Sequence, residues 1–126
     1  MTLVDTDVMI WYLRGNAKAG EALDALSMWG ISDVVYMELL QGMRDKRELN
    51  TFKSFIKQRG VECLPITPEI TNRAIYFLEL FTLSHGLKMA DALVAASSDI
   101  YGLPLFTAND NHYRMISTLQ LIVFRP

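Results

Sequence analysis

Oxygen-bearing side chains recur at four places in this chain, each at or just beyond an apolar segment. They are Asp5 with Asp7, Glu38, Asp91, and Asn109 with Asp110 just past Thr107. Carboxylates gathered at one edge repel one another and raise each other's pKa unless a cation joins them. Hard divalent ions take oxygen ligands, and Mg²⁺ uses a few carboxylates, several waters and substrate phosphate. The pattern therefore predicts Mg²⁺ or Mn²⁺ rather than zinc, with an activated water as nucleophile and positive charge placed against a phosphoryl group. The single cysteine, Cys63, lies in an apolar run with Val61 and Leu64 and reads as core packing. It excludes an internal disulfide and gives no cysteine-based zinc site. No His stands beside a nucleophile as acyl-enzyme chemistry requires. His85 reads as a helix-end residue and His112 as a surface-loop residue.

The elements that position these acids follow from apolar periodicity. Thr2-Leu3-Val4 is a short buried strand that delivers Asp5-Thr6-Asp7 at its end, and 8–13 is a short helix closed by Arg14-Gly15-Asn16. Helical spacing continues over 17–28, and 30–32 is a second strand. Asp33 is the expected cap of a helix over 34–43, and a further helix covers 48–58. A third strand is expected over 61–66. Thr67-Pro68-Glu69 then opens a helix to about Ser84, as a capping hydroxyl followed by Pro at the first helical position. A helix over 89–101 ends at Gly102, strands follow at 103–106 and 121–124, and the stretch 109–116 is short and polar.

Short apolar strands alternating with helices specify an α/β fold, a parallel sheet covered on both faces with right-handed crossovers. In such sheets chemistry sits beyond the carboxyl ends of the strands. Asp5 and Asp7 follow the first strand, Glu38 lies one turn into the helix after the second, and Asn109 and Asp110 follow the fourth. Asp91 reaches the same edge because the helix it opens runs back to the start of the fourth strand. Taken singly, Asp5 could be a turn residue, Asp91 an N-cap and Glu38 a half-exposed helix residue. Asp7 reads as the cap of the first helix rather than a ligand. Independent surface acids would not all map to one edge, so together they read as a site.

At 126 residues and 51% hydrophobic content, the chain fits one domain, 1–126, with a real core. No signal peptide or membrane-length apolar stretch is visible, which predicts a soluble cytoplasmic protein. A net charge of −2 argues against a sequence-independent DNA-coating protein. Six of the twelve cations (Arg44, Lys46, Arg47, Lys53, Lys57, Arg59) nevertheless fall between 44 and 59. A basic surface beside an acidic centre could admit a phosphate backbone.

Four segments in order resemble PIN-domain proteins of the VapC type over almost the whole chain. They are Leu3-Val4-Asp5-Thr6-Asp7-Val8-Met9-Ile10, Val35-Tyr36-Met37-Glu38-Leu39-Leu40-Gln41-Gly42, Met89-Ala90-Asp91-Ala92-Leu93-Val94-Ala95-Ala96, and Leu103-Pro104-Leu105-Phe106-Thr107-Ala108-Asn109. The stretch Tyr12-Leu13-Arg14-Gly15-Asn16 also looks like that family's first-helix ending. The resemblance implies a three-layer α/β/α fold with a five-stranded parallel sheet. It also implies a Mg²⁺- or Mn²⁺-dependent endoribonuclease acting on RNA as a homodimer, the toxin silenced by a small antitoxin whose C-terminal segment blocks the acidic pocket. Asp5, Glu38 and Asp91 match the family's first three acids. Its fourth position, an Asp or Asn two residues after the Thr (here Thr107), is Asn109, and the acid often found three further on is His112. Asp110 is displaced by one. Asn109 can still offer a carbonyl to a metal or to a metal-held water.

Three other readings compete. A phosphoaspartyl phosphatase would use Asp5-Thr6-Asp7, but normally has Gly where Val8 stands and gives Glu38 no role. A receiver domain needs an Asp ending the third strand, where Pro65-Ile66 stands. A catalytically weak PIN module that only binds RNA or a partner draws support from Asn109. The aromatic content (Trp11, Trp29, Tyr76, Phe77, Phe81) is generous, and the helix over 69–84 is a candidate face for self-association.

Overall fold

Thr2-Leu3-Val4 is the central strand, β1, of a sheet in the order β3-β2-β1-β4-β5, with every pairing parallel. The computed structural model describes all residues, Met1–Pro126. The other strands are β2 (Trp29–Ser32), β3 (Glu62–Leu64), β4 (Leu105–Thr107) and β5 (Leu121–Val123). Six helices cover the sheet on both faces: α1 (Thr6–Leu13), α2 (Ala17–Ala25), α3 (Asp33–Gln41), α4 (Lys46–Arg59), α5 (Pro68–His85) and α6 (Met89–Tyr101). A 3-10 turn, Asp110–His112, follows β4. The three-layer α/β/α arrangement is the one expected from the sequence. No helix is long and apolar enough to cross a membrane.

The central strands lack polar alternation because both of their faces are covered. Leu3, Val4, Ile31, Leu105 and Phe106 are buried in one core with Val8 and Met9 of α1, Val35 of α3, and Val94 and Ala95 of α6. β2 and β3 approach so closely that a Cβ at Gly30 would stand 2.6 Å from the Glu62 carbonyl oxygen, so that pairing requires glycine there.

Element boundaries shift from the expected ones for local reasons. α1 starts at Thr6, two residues early, because Asp5 rather than Asp7 is its N-cap. Ser32, not Asp33, caps α3: its hydroxyl accepts the Val35 N–H at 3.3 Å. α4 starts at Lys46 because the Asp45 carboxylate accepts the Glu48 N–H at 2.8 Å. α2 stops at Ala25, where Leu26 turns extended. β3 ends before Pro65 and β4 begins after Pro104, since proline has no N–H for the ladder. Thr67 caps α5 with Pro68 in its first turn, as the sequence predicts, and Gly86 and Gly102 close α5 and α6 in the left-handed conformation.

Candidate active site

Asp5 continues the β1 ladder by one residue, its N–H donating to the Phe106 carbonyl at 2.9 Å. The chain then turns into α1, which leaves the Asp5 carboxylate at the carboxyl edge of the sheet and only 5% exposed. Its Oδ1 accepts the Thr6 N–H at 2.9 Å. Its Oδ2 accepts the hydroxyls of Thr107 at 2.9 Å and Tyr113 at 3.0 Å. Burial, and after it the charge of Asp7, push the Asp5 pKa up to about 7, against the pull of these donors.

Asp7 lies in the first turn of α1. Its Oδ1 accepts the Val8 N–H at 2.8 Å and its Oδ2 the Ala108 N–H at 2.9 Å, tying α1 to the loop after β4. Burial raises its pKa as well. Glu38 comes from the second turn of α3, where its Oε1 accepts the Thr6 hydroxyl at 2.7 Å. Asp91 sits in the first turn of α6 but is not its cap, a position held by Lys88 without a side-chain bond. Its Oδ1 accepts the Tyr113 hydroxyl at 3.3 Å, and its Oδ2 lies 3.2 Å from His112 Nδ1.

Asp5 is thus linked to Glu38 through Thr6, whose backbone N–H goes to Asp5 and whose hydroxyl goes to Glu38, and to Asp91 through the Tyr113 hydroxyl. Thr107 serves the same edge from β4, its hydroxyl also accepting the Asn109 N–H at 3.0 Å. Asn109 itself is exposed. Asp110 is not with them: it is buried and ion-paired with Arg114 and, at 2.9 Å, with Arg125. Arg125 and Arg114 hold its carboxyl below the usual range. His112 is an exposed residue of the turn after β4, as expected, and it also contacts Asp91, which the sequence did not show. Tyr113 and Thr6 carried no advance signal, since a hydroxyl's partner depends on tertiary placement.

Three carboxylates and an amide carbonyl suit a hard divalent ion. As placed, no three His, Cys, Asp or Glu side chains form a closed ligand set. Mg²⁺ asks less than that, because one or two carboxylates with water and phosphate suffice. Glu38 Oε2 has no protein hydrogen-bond partner. The buried, charge-crowded Asp5 is also the kind of group that a cation relieves. The donor chemistry fits the ion.

A cleft of about 860 Å³ opens beside Glu38 between α1, α3 and α4. Ile10, Leu13 and Phe52 lend it apolar surface; Arg14, Arg44 and Arg47 line it together with Glu38, Asp45 and Glu48, and Arg44 is paired with Glu48 at 3.2 Å.

The PIN domain model matches residues 2–117. Over 127 aligned residues the chain is 35% identical to Ribonuclease VapC10 of Mycobacterium tuberculosis, covering 95% of this chain and 91% of that protein. Among solved structures it is similar to VapBC2 from Rickettsia felis bound to a promoter DNA fragment (TM-score 0.82, 20% identity, 98% of each chain). It is also similar to a toxin–antitoxin complex from Klebsiella pneumoniae (TM-score 0.79, 22% identity, 98% of this chain and 97% of that one). At these identities the two structures establish the shared fold.

Proposed function

The chain belongs to the PIN-domain family, in its VapC group, and from that premise we propose that it is a Mg²⁺- or Mn²⁺-dependent endoribonuclease. In this reading residues 1–126 form one nuclease domain, the cytoplasmic toxin of a type II toxin–antitoxin pair. The observation that carries it is the linkage of Asp5, Glu38 and Asp91 at one sheet edge, through Thr6 (its N–H to Asp5, its hydroxyl to Glu38) and the Tyr113 hydroxyl.

Asp5, Glu38 and Asp91 would hold the ion, and Asn109, two residues past Thr107, would add a carbonyl or orient a water. When bound, the ion would supply positive charge to the phosphodiester and a water activated near neutral pH. Thr107 keeps Asp5 oriented from β4. Arg14 and Arg47 would offer the RNA backbone cationic contacts beside Glu38. Water adds to phosphorus as the ester P–O bond breaks, leaving one phosphate end and one hydroxyl end. A phosphatase reading would leave Glu38 idle, whereas here it is bonded into the site.

Purified protein incubated with structured RNAs should cut them with Mg²⁺ or Mn²⁺, stop when the ion is chelated, and leave an aryl phosphate intact. RNA binding without cleavage would favour a module that acts by binding alone, a reading that Asn109 and His112 at the fourth position would explain. Hydrolysis of the aryl phosphate with no effect on RNA would overturn the nuclease reading.

Self-association belongs to the same proposal. Ile75, Tyr76 and Leu80 of α5 are half exposed and Leu83 fully so, an apolar strip on the helix expected to mediate contact. Phe77, by contrast, is core. The protein should scatter light as a homodimer at micromolar concentration, and Leu80→Lys should shift it toward monomer. A monomeric wild type would remove the dimer from the proposal.

A further inference from the structure

A single phenol hydroxyl stands between two of the three acids. Tyr113 is 0% exposed, and its hydroxyl lies 3.0 Å from Asp5 Oδ2 and 3.3 Å from Asp91 Oδ1. The two acids come from unrelated elements, the end of β1 and the first turn of α6, and no other side chain hydrogen-bonds to both. Tyr113 carries one phenol proton, which is shared between the two acids or donated to one of them at a time. Its own place is fixed from behind: its N–H donates to the Asp110 carbonyl at 2.9 Å, and the Asp110 carboxylate is paired with Arg114 and Arg125.

We propose that Tyr113 is a positioning residue for the metal-binding acids. Its hydroxyl fixes the separation and facing of Asp5 and Asp91, so that a divalent ion meets a preset pair. This role rests on the metal-dependent reading above and assigns a residue outside the acids and Asn109. Tyr113→Phe keeps the ring and removes only the bridge. Asp5 retains its Thr6 and Thr107 donors, and Asp91 retains His112. Hydrogen bonds that orient ligand side chains typically set metal affinity by about 10–100-fold.

The test is Mn²⁺ binding to the full chain, read from the electron paramagnetic resonance signal of the free ion. Tyr113→Phe should bind Mn²⁺ about tenfold more weakly than wild type, with an unchanged circular dichroism spectrum. Tyr101→Phe is the control, since it also deletes a bonded hydroxyl, the one on the Pro65 carbonyl at 2.7 Å. It should leave Mn²⁺ affinity as it was. A Tyr113 that serves packing alone would lower the melting temperature without changing affinity, and that result would overturn the role, as would equal losses in both variants. Should Tyr113→Phe not fold, wild-type protein labelled at tyrosine Cζ provides the readout. One Cζ resonance should move as Mg²⁺ is added, and no movement overturns the role. Wild-type protein that binds no Mn²⁺ would bring down the metal-dependent reading itself, whereas wild-type binding matched by Tyr113→Phe brings down only the bridge.

Discussion

Asp5→Asn should lower RNA cleavage by about 10³-fold or more while making the metal-free protein more stable. The loss follows because metal assistance supplies several kcal/mol of transition-state stabilisation, at about 1.4 kcal/mol per tenfold. The gain follows from burial. Asp5 titrates near 7 in the folded protein and near 3.8 when solvated, so the folded state holds its proton more tightly. The stability this brings is complete below pH 3.8 and is lost as the pH rises through 7. At pH 8 the ionised, buried carboxylate costs about 2–4 kcal/mol, which asparagine does not pay. Metal-free Asp5→Asn should therefore melt about 10 °C above wild type at pH 8 and close to it at pH 4. Mn²⁺ should raise the melting temperature of wild type but not of the variant. Wild-type cleavage by Asp5→Asn, or a variant less stable than wild type at pH 8 without metal, would sink the assignment of Asp5.

Expression of the protein alone should arrest growth, and co-expression of a small partner, encoded beside it, should restore growth. The site explains how such a partner would act. Burial raises the pKa of both Asp5 and Asp7, and the charge of Asp7 raises that of Asp5 further, so the pocket favours an incoming cation. An arginine suits it best, because its planar fork bridges two carboxylates and stays charged. The cleft beside Glu38 offers Ile10, Leu13 and Phe52 to an apolar stretch of the same segment, and Arg44 and Arg47 to any acidic residues flanking it. Asp91→Asn should abolish the growth arrest. A chain with Asp5, Glu38 and Asp91 all neutralised should bind the partner at least about tenfold more weakly, since a desolvated charge pair is worth more than 1.4 kcal/mol. Equal binding to that chain would exclude the plug. Harmless expression of a protein that cuts RNA well in vitro would leave a nuclease without a toxin's role.

The layers of the fold and the edge where the acids gather were legible because both follow from local pattern. Apolar runs of strand length, alternating with helical spacing, specify a parallel sheet, and its carboxyl edge collects whatever ends each strand. Asp5, Glu38 and Asp91 needed no more than that. Asp7 was misread because Asp5 and Asp7 are equally good caps in isolation, and only the β1 ladder, which ends on Asp5, decides between them. His112 and Tyr113 were hidden for a different reason. Their placement depends on the 3-10 turn, whose Asp110 is held by Arg114 and Arg125, residues that no local period connects to the acids.

The bonds that complete the site also set when it can exist. Thr107 reaches Asp5 across 102 positions of sequence and Tyr113 across 108. Chains emerge from the ribosome at about 5–20 residues per second, and their early segments fold first. β1, β2 and β3 can pair from the first half of the chain, but β4 must join β1 before Asp5 acquires its Thr107 and Tyr113 donors. A nascent chain therefore carries Asp5 without two of its three donors until Thr107 and Tyr113 have been made. A site built this way would stay unassembled until β4 and the turn after it have been made.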